Sequence, residues 1–173
     1  MRRILSLLTL GLLAGPAGLA AQSNPVTTVA RAAVADLGKN LLAAARAMPA
    51  DKFGYKPTPA QMTFGELIAH IQGDNRITCG AIGNGAPPAE PKLKPTAGKD
   101  TLVAALERSI SFCTTALAHA SDAALGDKVT YYGQQAPRAA AVIGLIADWS
   151  DHYGMQAMYL RLNGVLPPTA RKS

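Results

Sequence analysis

Apolar residues recur at every third or fourth position in long stretches of this chain, a spacing that places them on one face of an α-helix. One stretch runs from about Pro25 to Met48, with Asn24 as its expected N-cap, and another runs from about Asp100, an expected N-cap, to His119. Together with two further stretches that are bounded by capping signals, these two stretches predict four helices. The pattern shows no internal repeat. The first apolar stripe consists of Val26, Ala30, Ala33, Leu37, Leu41, Ala44 and Met48.

The second predicted helix has the clearest start signal in the chain. Thr63-Phe64-Gly65-Glu66 has the pattern of a capping box, in which each of the two outer side chains accepts a hydrogen bond from the other residue's backbone amide. We expect this helix to run to about Ile82, because Gly83-Asn84-Gly85 tolerates the left-handed backbone that ends helices. Glu66 is therefore a cap rather than a candidate general base.

The segments between the helices are rich in helix-breaking residues. Residues 83–99 contain several prolines and predict a long non-helical connection. Residues 129–137 predict a loop or a hairpin. The fourth helix is expected from about Pro137 to Asn163, with Gly164 as its C-terminal stop.

Composition agrees with a helical fold. Aromatic residues make up only 5% of the 173 residues, and alanine, the strongest helix former, is abundant. Without the leader described below, roughly 150 residues remain, which is typical of one domain. We predict an all-α fold, a four-helix bundle over residues 22–173, with a long crossover between the second and third helices.

The first 21 residues have the three parts of a secretory signal peptide. Two arginines form a positive start, residues 4–13 form an apolar core, and residues 18–21 offer small side chains for cleavage. The apolar run is too short for a stable membrane span, which disfavours the alternative of an uncleaved anchor. The mature protein is therefore expected in the periplasm or outside the cell, without membrane contact after cleavage.

The charge distribution argues against a nucleic-acid partner. The formal net charge is +6, and loss of the two leader arginines would reduce it by two. The other basic residues are scattered, without the clustered patch that nucleic-acid binding requires. We read this charge as ordinary solvation of helix surfaces.

The two cysteines constrain the topology. In an oxidising compartment Cys79 and Cys113 are expected to form a disulfide, the alternative being two small buried apolar residues. If the second and third helices were antiparallel neighbours, the two positions would differ in height by roughly 10–15 Å. A disulfide tolerates only about 4–7 Å between Cα atoms. A bridge therefore predicts parallel helices joined by the 83–99 crossover.

Histidines are the main candidates for chemistry. Asp148 and His152 lie four residues apart on the fourth helix and share one face, and His70 lies on the second helix. Such a set can hold zinc, nickel, manganese or iron in a bundle. The alternative is an ordinary polar pair with His70 at the bundle edge. His119, near a helix end, is expected at the surface.

Two segments carry further motifs in a fixed order. The first reads MPADKFGYKPTP from residue 48, followed by MTFGELIAHI from residue 62. The second reads DHYGMQ from residue 151, followed by YLRLNGVLPP from residue 159. Over nearly the whole mature chain this pattern resembles the DinB/YfiT-like superfamily, and in particular its exported members. The resemblance implies a four-helix bundle, often a homodimer, with a divalent metal held by three histidines.

The ligand set that the resemblance implies is altered in this chain. His70 matches the histidine of the second helix, and His152 matches the last position of an H-x-x-x-H motif on the final helix. Asp148 stands at the middle position, where the family has histidine. Aspartate also ligates such metals, but the change fits equally well a member that has lost its metal. Asp74, Asn75 and Gln156 are candidates to orient the ligands or to contact a substrate.

The resemblance implies a metal-dependent hydrolase or a thiol-dependent transferase, because a metal lowers the pKa of a bound water or thiol. Export disfavours the thiol chemistry, since the low-molecular-weight thiol pool is intracellular. The alternative is a non-catalytic exported bundle that binds a ligand or a partner, or dimerises, with a vestigial metal site. The two cysteines lack a C-x-x-C motif, which disfavours a redox function.

Overall fold

The computed structural model describes residues 23–83, 85–87, 93–94 and 96–170. Four α-helices dominate them and confirm the predicted all-α bundle: α1 (Pro25–Ala47), α2 (Phe64–Gly83), α3 (Lys99–Ala118) and α4 (Arg138–Leu162). The predicted leader and part of the crossover lie outside these residues. None of the helices in the described part of the chain combines the length and the hydropathy that a membrane span requires.

The predicted loop or hairpin before α4 is a small β-hairpin. Strand β1 (Lys128–Tyr131) pairs antiparallel with β2 (Gln134–Pro137), so that Tyr131 faces Gln134 across the turn. Short 3₁₀ turns at Ala50–Lys52, Asp122–Ala124 and Pro168–Ala170 complete the fold.

Helices α2 and α3 run parallel, as the disulfide argument predicts. Cys79 and Cys113 are bonded, with their Cα atoms 4.9 Å apart. One turn earlier on both helices, Asn75 Nδ2 donates a hydrogen bond to Ser109 Oγ over 2.9 Å. Both pairs advance in the same direction along the two helices, which an antiparallel pair would not allow.

Helices α2 and α4 run antiparallel. The Arg138 guanidinium at the start of α4 donates to the carbonyl of Ile82 at the end of α2. At the other end of α4, Tyr159 Oη donates to the Met62 carbonyl, just before α2, over 2.6 Å. This arrangement brings the middle of each helix opposite the middle of the other.

The close approach of α1 to α4 completes the core. Gly38 on α1 lies against the fully buried Trp149 of α4, where a Cβ would be 2.9 Å from the indole ring. A side chain here would push the two helices apart. Glycine thus permits the core to close around Trp149.

Capping contacts confirm the predicted start of α2. The Thr63 amide donates to Glu66 Oε2 over 2.6 Å, and the Glu66 amide donates to Thr63 Oγ1 over 3.1 Å. The prediction for α3 was wrong by two residues: Gly98 is its N-cap, and Asp100 lies in the first turn. Asn163 is the C-cap residue of α4, and Gly164 follows it with φ +72°, consistent with its predicted function as a stop.

The N-terminus of α1 is capped by a residue far away in the sequence. The Asp122 carboxylate accepts hydrogen bonds from the Val26 and Thr27 amides at 2.9 and 2.8 Å. Asn24 is the N-cap residue, as predicted, but its side chain instead accepts from the Asp122 amide over 2.8 Å. The negative charge of Asp122 also interacts favourably with the helix dipole.

Asp122→Ala is expected to lower the melting temperature at neutral pH, with a smaller effect in acid. Partial desolvation raises the pKa of Asp122, but hydrogen bonds from the Thr27 and Val26 amides outweigh it, and the pKa is lowered overall. A carboxyl with a lowered folded-state pKa stabilises the fold above its unfolded pKa of about 3.9, and that stability is lost as the pH falls through the folded value.

Thermal unfolding followed by circular dichroism at about pH 7 and about pH 2.5 checks this prediction. The difference in melting temperature between wild type and variant should shrink at the lower pH. Asp36→Ala, at an exposed position of α1, is the matched control and should behave like wild type. An effect of Asp122→Ala that is equally large at both pH values would contradict the cap.

Candidate metal centre

Antiparallel packing of α2 and α4 brings His70 and His152 together. Their ring centroids lie 5.1 Å apart. Asp74, one turn after His70, has Oδ2 3.1 Å from His70 Nε2. Ligand atoms of His70, Asp74 and His152 all lie within 4.8 Å of one another, which makes them the potential metal-binding group of the described residues.

The donor set fits a divalent cation. Zinc binds histidine nitrogen and carboxylate oxygen at about 2.0–2.2 Å, so two ligand atoms on one ion are at most about 4.4 Å apart. Small side-chain movements would bring all three atoms into this range. His152 is buried, whereas 39% of the His70 side chain is exposed, which gives the group one side open to solvent.

Asp148 lies behind His152 rather than with the three potential ligands. The Asp148 backbone carbonyl accepts a hydrogen bond from His152 Nδ1 over 2.8 Å, and its Oδ1 is 3.2 Å from the same nitrogen. Because a carbonyl oxygen only accepts, Nδ1 carries the proton, and Nε2 keeps the lone pair that an ion requires. Carboxylates commonly orient metal-binding histidines in this way.

Of the three ligands expected from the sequence, the structure brings His70 and His152 together, with Asp74 beside them. Asp148 lies against His152 Nδ1 and is not part of that group. The sequence held a signal for this arrangement: His70 and Asp74 have the same four-residue spacing as Asp148 and His152. Spacing alone did not decide which aspartate faces the other helix.

Asp148 also affects the basicity of His152. Burial lowers the pKa of the His152 ring, but the hydrogen bonds and negative charge of Asp148, together with the charge of Asp151, outweigh it. The pKa of His152 is therefore raised above its ordinary value. A more basic imidazole is a stronger ligand once its proton is displaced.

Asn75, expected to orient a ligand or to contact substrate, has both ends of its side-chain amide in hydrogen bonds between helices. It is fully buried. Its Nδ2 donates to Ser109 on α3, and its Oδ1 accepts from Trp149 Nε1 on α4 over 2.7 Å. Both ends of the amide are thus used to join α2 to its two neighbours beside the candidate site.

Gln156 is the unusual buried polar group of the site region. It lies one turn after His152 on α4 and is fully buried, and among the described residues neither its oxygen nor its nitrogen has a hydrogen-bond partner. An unsatisfied buried polar group costs about 1–3 kcal/mol. A water molecule or a polar ligand that reached this amide would remove that cost.

His119 lies outside this group. It is the C-cap residue of α3 and is exposed, as predicted. It therefore provides a natural control for experiments on the other two histidines.

The sequence and the fold of this chain are similar to those of known proteins. A sequence profile of the DinB superfamily matches residues 34–154. The search of curated proteins returns no match. Solved structures of similar fold are known, and at their low sequence identities the likeness shows the fold alone.

Two of these structures are DinB-like proteins and a third is a conserved protein. The one from Bacillus cereus ATCC 10987 is 16% identical, with a TM-score of 0.63 over 76% of this chain and 89% of that chain. The one from Bacillus subtilis is 16% identical, with a TM-score of 0.66 over 84% and 99% of the two chains. The conserved protein from Enterococcus faecalis is 15% identical, with a TM-score of 0.64 over 79% and 96%.

Proposed function

Because this chain belongs to the DinB superfamily, we propose that it is an exported metal-dependent bundle that holds one divalent cation through His70, Asp74 and His152. The observation that carries the proposal is the convergence of three ligand atoms within 4.8 Å between α2 and α4. The donor set suits zinc, nickel, manganese or iron.

The proposed activity is hydrolysis, with group transfer as the second possibility in the same site. A bound divalent cation supplies Lewis acidity and lowers the pKa of a coordinated water. Asp148 fixes the tautomer and orientation of His152, and the buried amide of Gln156 offers a hydrogen bond to a polar group near the ion. The half-exposed side of His70 admits a small ligand from solvent.

Export is part of the proposal. The signal-peptide pattern of residues 1–21 supports it, as does the disulfide between Cys79 and Cys113. Structural disulfides persist in oxidising compartments.

The alternative is a non-catalytic exported bundle. The observation that favours it is Asp148 at the position where the family resemblance implies a third histidine. In that case the chain would bind a ligand or a partner without a metal. The homodimer expected from the resemblance remains a prediction.

Calorimetric titration of the purified protein with zinc, nickel and manganese tests the proposal. We expect one ion per chain for at least one metal. Asp74→Ala removes a ligand, whereas Asp148→Ala removes an orienting group, a loss that typically costs about 10–100-fold in affinity. Asp74→Ala should therefore weaken binding more than Asp148→Ala.

Asp36→Ala, on α1, is the control for loss of a carboxylate and should bind like wild type. Failure of all three metals to bind at one ion per chain would refute the metal proposal and favour the non-catalytic bundle. A larger effect of Asp148→Ala than of Asp74→Ala would assign the ligand position to Asp148.

A further inference from the structure

Helix α4 is apolar on the side that faces solvent as well as on the side that faces the core. Apolar and polar residues are distributed around it more evenly than around α1, α2 or α3. A helix that is apolar all round is typical of a position buried on every side, so this composition favours a partner on the exposed side. The exposed residues of α4 from Ile143 to Met158, here termed its outer face, are Ile143, Ala147, Ser150, Asp151, Gly154 and Met158.

The outer face offers little to water. Asp151 is its one charged residue. The Ser150 hydroxyl donates to the Ile146 carbonyl over 2.7 Å, so its hydrogen bond is made within the helix. At Gly154 a Cβ would meet no atom of the described residues within 4 Å, which leaves the backbone open to close approach. A second helix could therefore pack here with a small loss of hydration.

The apolar surface continues onto α1 beside Ile143. Ile143 is 67% exposed, and Val26 and Val29 of α1 are 55% and 69% exposed. With Pro25 and Ile146, these residues line a shallow apolar depression of about 410 Å³. The outer face of α4 and the start of α1 thus form one continuous surface.

This surface is large enough for a stable interface. Helix α4 has 25 residues, so it is roughly 37 Å long at 1.5 Å per residue. Neighbouring helix axes are roughly 10 Å apart, so α1 and α4 together present a surface of roughly 700 Å². Stable protein interfaces bury about 800 Å² on each partner.

The outer face of α4 is complementary to a second copy of itself. Ile143 and Met158, the two large apolar residues, lie equally far from the midpoint of the face. Two small residues, Ala147 and Gly154, are also placed symmetrically about this midpoint. If two α4 helices pack antiparallel, large side chains meet at both ends and small residues meet near the centre, where the backbones approach. An interface with two-fold symmetry requires this kind of self-complementary surface.

We propose that the outer face of α4, with the adjoining residues of α1, is a homodimer interface in which the α4 helices of two copies pack antiparallel. His152 packs against His70 of α2, away from the outer face. Both candidate metal centres therefore stay accessible in the dimer, and the inference does not depend on a bound metal.

Sedimentation velocity of the purified protein over about 1–100 μM tests the interface, and we expect a dimer in this range. Gly154→Glu adds a side chain where one copy has room for it but places two carboxylates in the interface. It should weaken the dimer by more than about 100-fold. Ile77→Glu, at a position of α2 that is 45% exposed and lies outside the interface, is the matched control and should dimerise like wild type. Circular dichroism checks that each variant is folded.

Cysteine cross-linking tests the antiparallel register. Both natural cysteines are bonded to each other, so introduced thiols react without competition. Under mild oxidation, Ala147→Cys/Gly154→Cys should give a covalent dimer, because the two positions face each other within the reach of a disulfide. Ala147→Cys alone should not, because the two copies of residue 147 are offset by roughly 10 Å along the helices. Asp151→Asn should strengthen the dimer by about threefold, because it removes repulsion between two carboxylates near the midpoint.

Several results would overturn the inference. A monomer at every concentration is one, and a dimer of equal stability in wild type and Gly154→Glu is another. Equal weakening by Gly154→Glu and Ile77→Glu would also contradict the assigned surface. Equally efficient cross-linking of Ala147→Cys alone would exclude the proposed register. A monomer that instead co-sediments with phosphatidylglycerol vesicles would assign the surface to a lipid membrane rather than to a second copy.

Discussion

Replacing His152 with alanine is expected to lower the affinity for the bound cation by more than about 100-fold, and His70→Ala should have a similar effect. Loss of a group that only orients a ligand already costs about 10–100-fold, and loss of the ligand itself costs more. Competition with a chromophoric chelator measures this change in affinity, with the metal ion that the wild-type protein binds best.

His119→Ala is the matched control, because His119 is exposed at the end of α3 and far along the chain from both ligands. It should bind metal like wild type. Circular dichroism of each metal-free variant checks that the bundle is intact. If His152→Ala and His119→Ala bound the metal equally well, the assignment of His152 as a ligand would be wrong.

Removing the disulfide is expected to cost about 3–4 kcal/mol in the free energy of unfolding. The bridge between Cys79 and Cys113 closes a loop with a sequence separation of 34, and a cross-link of this length restricts the unfolded chain by about that amount. Urea unfolding of Cys79→Ala/Cys113→Ala against the oxidised wild-type protein measures it. The slope of the free energy of unfolding against urea concentration should also become steeper, because an unlinked chain exposes more surface on unfolding.

Wild-type protein unfolded under a strong reductant is the control, since it loses the bond but keeps both side chains. Its stability should approach that of the double variant. A loss below about 1 kcal/mol in both samples would contradict the large entropic effect expected for this loop. The parallel packing of α2 and α3 should survive, because Asn75 and Ser109 still link the helices.

Local signals in the sequence predicted much of the fold. The capping box at Thr63 and Glu66 involves residues three positions apart, so their contact depends on few other parts of the chain. The two cysteines also predicted how two helices pack. Because a disulfide tolerates only a short distance between Cα atoms, the positions of Cys79 and Cys113 require α2 and α3 to run parallel. Helix boundaries were predicted less accurately where no capping box was present, as at the start of α3.

Contacts between distant residues were harder to predict. The cap of α1 comes from Asp122, almost a hundred positions away, and nothing around Asp122 in the sequence indicates it. The choice between Asp74 and Asp148 depends on how α2 and α4 are rotated against each other, which spacing within one helix does not determine.

The most direct measurement is anomalous X-ray diffraction from crystals of the protein loaded with zinc or cobalt, recorded at the metal absorption edge. We expect one strong peak per chain between α2 and α4, about 2.0–2.2 Å from nitrogen atoms of His70 and His152 and from a carboxylate oxygen of Asp74. Asp148 should contact His152 Nδ1 and not the ion. A peak away from the two histidines, or none in metal-saturated crystals, would contradict the central claim.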